Sequence, residues 1–535
     1  MEFGKMRYEA WTAGRVINAL RRQPLLGGSV VVVLLAGALS IAVGTVLGLA
    51  SFSDVGYPDS AILLRIGEVI RSGYLYPDID RPPYLVTVYG PLTYVLLAIP
   101  YRLAQAAGIT PQVLVRLGIV GAVCLCVLLI FLISRRLYSS RPIAWLCALF
   151  AVSALPMADW TTQIRGDFLA LGFTLLSVYL FLFTNGRPRT IGASVFAGVA
   201  LLVKQTFLAV PIAIMSWLVY RRRYKEAVYW AVGFTLTVVG GCAIVWWREP
   251  LMLKHIAALS HPVLEYRVAL SILSNAVSQP VVPFAAIGGF LVLRKRAPER
   301  LLFLIYCVVA WLVAILTIPQ VGSAINYFWE PLLASAVLAG PGLSELQRKA
   351  NRTPILVTAM LFVLLLWSFL PMLRDLVYLR ECYTDVSDYQ VRKTKWESFV
   401  SIVSGRRVLS TFPDVTVHSV TPEIPDPYLN SVLELRGRWN SGPIVAQIDA
   451  GVYDLIVIEK GQADKVADYR GIRKWSDGMW GALKRTYRLA CVFDGVEVWL
   501  PRRGSGEILP SLSAMGCLDV AKRVDSGSTV GSQAQ

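Results

Sequence analysis

Carboxylates crowd one stretch of the chain. Asp54, Asp59, Glu68, Asp78 and Asp80 all fall between residues 51 and 94, together with Arg65, Arg71 and Arg81. A placed carboxylate can take a proton from a reacting hydroxyl, and a placed guanidinium can hold an anion. Further groups of this kind recur later. Arg165 and Asp167 stand two residues apart, Lys204 is followed by Gln205, and Asn326, Tyr327 and Glu330 form a third group. Each has a plainer alternative. Asp59 can be a helix cap, Arg165 and Asp167 a surface ion pair, Lys204 a snorkelling side chain, and the Asn326 group ordinary loop packing. His255 and His261 are two of only three histidines, but their spacing is not a metal-ligand signature, and no zinc spacing occurs.

The elements that must hold these groups follow from composition. Of 535 residues, 16% are charged and 55% apolar, with mean hydropathy +0.56. A soluble domain carries about 25% charged residues. The numbers exclude a disordered chain, a disulfide scaffold and an ordinary soluble enzyme, and fit a polytopic α-helical membrane protein. The net charge of +17 lies scattered in loops rather than in a patch, which argues against a nucleic-acid partner.

The first apolar run covers residues 30–50. Arg15, Arg21 and Arg22 precede it and put the N-terminus in the cytoplasm. Its length makes it an anchor rather than a signal peptide. Further runs start at Val113, Pro142, Phe168, Ile191, Thr206, Ala227, Leu270, Leu301, Pro331 and Pro354. Five short basic loops, led by Arg135, Arg187, Arg221, Arg294 and Arg348, alternate with loops poor in Lys and Arg. That alternation predicts about 11 crossings, the basic loops inside and the C-terminus outside. It requires residues 91–107, a short apolar segment broken by Pro100 and Arg102, to be buried or re-entrant without a net crossing. The alternative is that this segment crosses and another short run does not.

Residues 1–371 thus read as the membrane part, with residues 52–90 as the first outer loop. Within that loop, residues 60–72 predict an interfacial amphipathic helix, with Arg65, Glu68 and Arg71 opposite its apolar face. Asp59 would then sit at bilayer height, facing the outer water. Residues 372–502 predict a small outer α/β domain. Val408-Leu409-Ser410 and residues 453–458 read as buried strands, residues 443–450 as a short helix, and residues 487–500 as a hairpin turning at Asp494-Gly495. Residues 503–535 read as a disordered tail. Cys382, Cys491 and Cys517 would lie outside, where two of them could pair.

The order of these features resembles the GT-C superfamily of membrane glycosyltransferases, in its branch similar to protein O-mannosyltransferases and aminoarabinose transferases. Gly56-Tyr57-Pro58-Asp59 is similar to that branch's first-loop acidic motif. Tyr89-Gly90-Pro91-Leu92-Thr93-Tyr94 is similar to its Pro-Pro-Leu-Tyr segment, and Ile164-Arg165-Gly166-Asp167 to a later outer-loop motif. Residues 322–330 resemble a motif of bacterial members. Two positions depart from the pattern. Ser60 replaces the second acid of an Asp-Glu pair, and Tyr89-Gly90 stands where the family has a cation before its prolines.

The resemblance implies a GT-C-like fold and inverting transfer of a sugar from a polyprenyl-phosphate donor to an acceptor hydroxyl. It also implies the outer face of a bacterial inner membrane as the place of reaction. Asp59 would be the base and Asp54 the runner-up. Arg165, Lys204 and Arg81 are the candidates for the donor phosphate. Asp167, Tyr89, Asn326, Tyr327 and Glu330 would contact sugar or acceptor, which could be a lipid, glycan or protein. No cofactor is required, and a divalent metal is compatible with the chemistry. A transporter or flippase of lipid-linked glycans is the alternative, although no internal repeat supports it.

Overall fold

The computed structural model describes residues 39, 42–46, 48–49, 59–350 and 386–515, apart from 83, 85, 154–157, 185–186, 260–265, 296–297, 321–322, 417, 421–428, 462–474, 494 and 504–506. The expected crossings at residues 30–50 and from Pro354 therefore lie mostly or wholly outside the described residues, as do Asp54, Cys382, Cys517, most of the tail and the start of the Asp59 motif.

Helix α1 (Asp59–Ser72) is the one read as interfacial. It is followed by α2 (Pro91–Ala106) and α3 (Pro111–Tyr138), each opened by a proline at the first turn, where no amide partner is needed. Then come α4 (Arg141–Ser153), α5 (Asp167–Phe183), α6 (Arg187–Val203), α7 (Ala209–Tyr220) and α8 (Tyr224–Arg248). After these run α9 (Met252–Leu259), α10 (Tyr266–Val277), α11 (Val281–Lys295), α12 (Pro298–Thr317), α13 (Trp329–Leu338) and α14 (Gly340–Ala350). Among the described residues, α3, α8 and α12 are each long and apolar enough to cross a bilayer, and α10 with α11 forms a further pair bent by 69°. Helices α4 to α7 are apolar but shorter. Only Ala227 and Trp230 of α8 are buried, as suits a peripheral helix that packs along one side on α6, where Gly198 meets Thr237 and Gly241 meets Leu202. One apolar core joins α2, α3, α5, α6, α7, α12 and α13.

Residues 386–515 build a sheet with helices on both faces. Helix α15 (Val386–Val403) leads into β1 (Val408–Ser410), and α16 (Pro413–Thr416), α17 (Leu429–Leu435) and α18 (Gly442–Asp449) precede β2 (Leu455–Glu459). Helix α19 (Asp477–Thr486) then leads into β3 (Tyr487–Phe493) and β4 (Val496–Pro501), and α20 (Ile508–Ala514) follows. The sheet order is β1-β2-β4-β3, with β1 parallel to β2 and the other pairs antiparallel. Alternation splits its side chains. Leu409, Ile456 and Ile458 face Trp475, Trp480 and Leu483, while Val408, Leu455 and Val457 face Phe399 and Val403. The hairpin forms as expected, with Gly495 at positive φ. Cys491 is disulfide-bonded.

The core on the first face also takes in Ile79, Tyr84 and Val86 of the loop between α1 and α2. Trp439 donates its indole N–H to the Ile79 carbonyl at 3.0 Å, and Asn430 donates to the Tyr84 carbonyl at 3.3 Å. The loop is thus built into both parts of the chain.

Candidate active site

Asp59 opens α1 and is fully buried. Its Oδ2 meets Arg116 Nη2 of α3 at 3.1 Å, and its Oδ1 accepts the Ile164 N–H at 2.7 Å. Arg116 also donates to the Gly48 carbonyl at 2.8 Å. The expectation that Asp59 faces the outer water is corrected here. A buried guanidinium and a backbone amide supply the partners that water would otherwise have supplied. Burial raises the proton affinity of Asp59, while Arg116, the Ile164 N–H and Arg165 pull it back. Arg65 is corrected too. It is 1% exposed rather than on a solvent face, and the carboxylates of Glu68 and Glu249 act on its charge there.

The second group forms around Lys204, at the C-terminal end of α6. Lys204 Nζ is paired with Asp167 at the start of α5. Asn326 Nδ2 donates to the same Asp167 oxygen at 2.8 Å. The ammonium lies 5.0 Å from the Tyr327 ring centroid and 5.8 Å from that of Tyr89, within cation–π range. Asp167 Oδ2 and Asn326 Oδ1 are buried without a hydrogen-bond partner. The chain reaches this place through a close approach at Gly90. Its N–H bonds the Val203 carbonyl at 3.0 Å, and a Cβ there would stand 2.0 Å from the Leu202 carbonyl oxygen. Thr93 Oγ1 donates to the same Val203 carbonyl at 2.7 Å.

Arg165 connects the two groups. Its charge acts on both Asp59 and Tyr89, and its guanidinium lies 4.3 Å over the Trp160 ring. Trp160 meets Trp329 edge-on at 5.4 Å, and Trp329 stacks on Phe168 at 4.3 Å. The Arg165–Asp167 ion pair, the plainer reading of these two residues, does not form among the described residues. Asp167 turns to Lys204, and Arg165 rests on an aromatic wall. Burial pushes the Tyr89 hydroxyl upward, so it stays protonated.

The structure thus brings Arg165, Asp167, Lys204, Tyr89, Asn326 and Tyr327 together. Glu330 lies buried on α13 beside Tyr306, with one unpartnered oxygen. Arg81 is not brought in. It is 82% exposed, 3.8 Å from Asp78, whose carboxylate is held by Lys254. His261 is outside the described residues. Among the described residues no group of three or more His, Cys, Asp or Glu could hold a metal. Arg116, Glu249 and Trp160 escaped the sequence reading. Arg116 did carry a signal, since an ionisable residue inside an apolar helix defaults to a functional role.

Comparison with known proteins bears on this arrangement. Residues 90–247 match the family described as dolichyl-phosphate-mannose-protein mannosyltransferase. The crystal structure of ArnT from Cupriavidus metallidurans in the apo state is similar with a TM-score of 0.59 and 13% identity, over 88% of this chain and 97% of that one. The apo oligosaccharyltransferase of Archaeoglobus fulgidus is similar with a TM-score of 0.54 and 13% identity, over 86% of this chain and 73% of that one. The same enzyme in complex with zinc and sulfate gives 0.52 and 12%, over 88% and 73%. No curated protein matches the sequence. The chain thus has an ArnT-like fold, and its residues 90–247 are similar to that mannosyltransferase family.

Proposed function

We propose that the protein transfers a sugar from a polyprenyl-phosphate donor to an acceptor hydroxyl, with inversion, on the outer face of a bacterial plasma membrane. The observation that carries this reading is the buried Lys204 ammonium, set between Asp167 and the Tyr89 and Tyr327 rings. A cation at this depth suits a phosphate whose lipid tail stays in the bilayer. Arg165 is the second cation in reach. The unpartnered oxygens of Asp167 and Asn326 can accept sugar hydroxyls.

Asp59 is the proposed base. An ionised carboxylate offers about four lone-pair sites, and Arg116 and Ile164 are the two partners described for it. Asp59 takes the acceptor's proton as the acceptor oxygen bonds the anomeric carbon. The bond from that carbon to the phosphate oxygen breaks, and its electron pair leaves on the phosphate beside Lys204 and Arg165. The matched mannosyltransferase segment supports transfer over a flippase.

The test uses membranes supplied with radiolabelled polyprenyl-phosphate sugars. Lys204→Met should lower kcat/KM for the donor by about 10²–10³, the size of a lost electrostatic contact to developing charge. Transfer unchanged by that substitution would refute the assignment.

A further inference from the structure

We propose that His255 is a positioning residue, which sets the first outer loop against the Lys204 site by receiving the Thr87 N–H. The kinetic part of this inference rests on the transfer reading above; the geometric part does not. Thr87 N–H meets His255 Nδ1 at 3.0 Å, and His255 Nε2 lies 2.8 Å from the Pro77 carbonyl. An amide can only donate and a carbonyl can only accept. The ring is therefore neutral, with its proton on Nε2.

The neck of the loop closes around this ring. Thr87 Oγ1 donates to the Leu75 carbonyl at 3.0 Å. Glu249 Oε2 accepts the Leu75 and Tyr76 amides at 2.6 and 2.5 Å. The Tyr76 ring meets His255 edge-on at 5.2 Å. Beyond Thr87, the Val88 carbonyl accepts from Gln205 at 3.0 Å, and the next residue is Tyr89, over Lys204. One residue, Val88, thus separates the histidine contact from the wall of the site.

The charged groups facing His255 are Arg65 from α1, Lys254 from its own helix and Asp78 from the loop. Burial, Arg65 and Lys254 disfavour a second ring proton, and the pKa falls to about 4. A proton on Nδ1 would oppose the Thr87 N–H directly.

Two substitutions separate the two ring contacts. His255→Asn keeps an acceptor near the Nδ1 position, and His255→Gln keeps a donor near the Nε2 position. In His255→Gln the donor KM should rise about tenfold, the worth of one lost buried hydrogen bond, with kcat within about threefold. In His255→Asn both should stay within about threefold of wild type. The wild-type donor KM should rise below about pH 5, and that rise should be absent in His255→Asn. Amide exchange over residues 84–89, read by mass spectrometry, should quicken in His255→Gln alone.

Equal exchange in the two variants, or an unchanged rate in His255→Gln, overturns the proposal whether or not transfer is seen. If wild type transfers no sugar, the functional reading fails and the exchange result still decides the role of His255. Should either variant fold poorly, wild type acidified through pH 4 gives the same reading. After correction for intrinsic exchange, faster opening of 84–89 supports the contact, and unchanged opening overturns it.

Discussion

Removing the charge of Asp59 tests stability and chemistry at once, and the structure allows the two to be separated. Asp59 and Arg116 are both fully buried, 3.1 Å apart. Asp59→Asn keeps the shape and leaves the Arg116 charge without its counterion. Breaking one side of a buried pair costs about 3–5 kcal/mol. Loss of a general base costs about 10²–10⁴ in rate. The double variant Asp59→Asn with Arg116→Gln removes both charges and leaves two neutral groups that can hydrogen-bond. It should regain most of the lost stability, measured by chemical unfolding in mixed micelles. Transfer from the labelled donor should stay at the level of Asp59→Asn, since no carboxylate has returned. Arg116→Gln alone should destabilise and retain part of the rate. If transfer recovers along with stability in the double variant, Asp59 is a strut and the base lies elsewhere. Asp167, with its unpartnered oxygen, would then be the next to test.

Gly90→Ala should prevent the loop from docking, because the new methyl would overlap the Leu202 carbonyl at 2.0 Å; yield of folded protein and donor binding would both fall. Trp439→Phe keeps the ring contact with Tyr84 and leaves the Ile79 carbonyl without its indole donor. A loss of about 1–3 kcal/mol is expected, read by unfolding in micelles, and an unchanged midpoint would contradict it. His255 ties stability to pH. Its folded-state pKa of about 4 lies below the ordinary 6.5, so the stabilisation is complete above pH 6.5. It is lost as pH falls from there toward 4, by about 3 kcal/mol in all, and His255→Asn should flatten that slope.

The helices of the membrane part were legible because apolar runs and prolines mark them locally. Helix α1 begins one residue before the expected start, and the runs at Val113, Phe168 and Ala227 became α3, α5 and α8. The β-hairpin was legible for the same reason, through alternation and a turn dipeptide. Pairings across the chain were not legible. Asp59 finds Arg116 57 residues on, and Asp167 finds Lys204 rather than Arg165, two residues away. A charge does not name its partner, and which one it meets is decided by helix packing that no short window contains. Arg65 misled for a related reason. Its spacing suits a solvent face, but packing buries it where Glu249, 184 positions later, acts on its charge.

Beside its buried Ile79, Tyr84 and Val86 side chains, the loop between α1 and α2 is held at many points by its main chain. Glu249 takes two amides, His255 an amide and a carbonyl, and Gln205, Asn430 and Trp439 a carbonyl each. These main-chain bonds do not depend on the side chains of the loop's exposed positions, such as Arg81. Substitution along the loop can therefore alter what it presents to an acceptor while its path stays fixed. On the transfer reading proposed above, acceptor preference could change at the exposed positions of a loop whose course is held elsewhere.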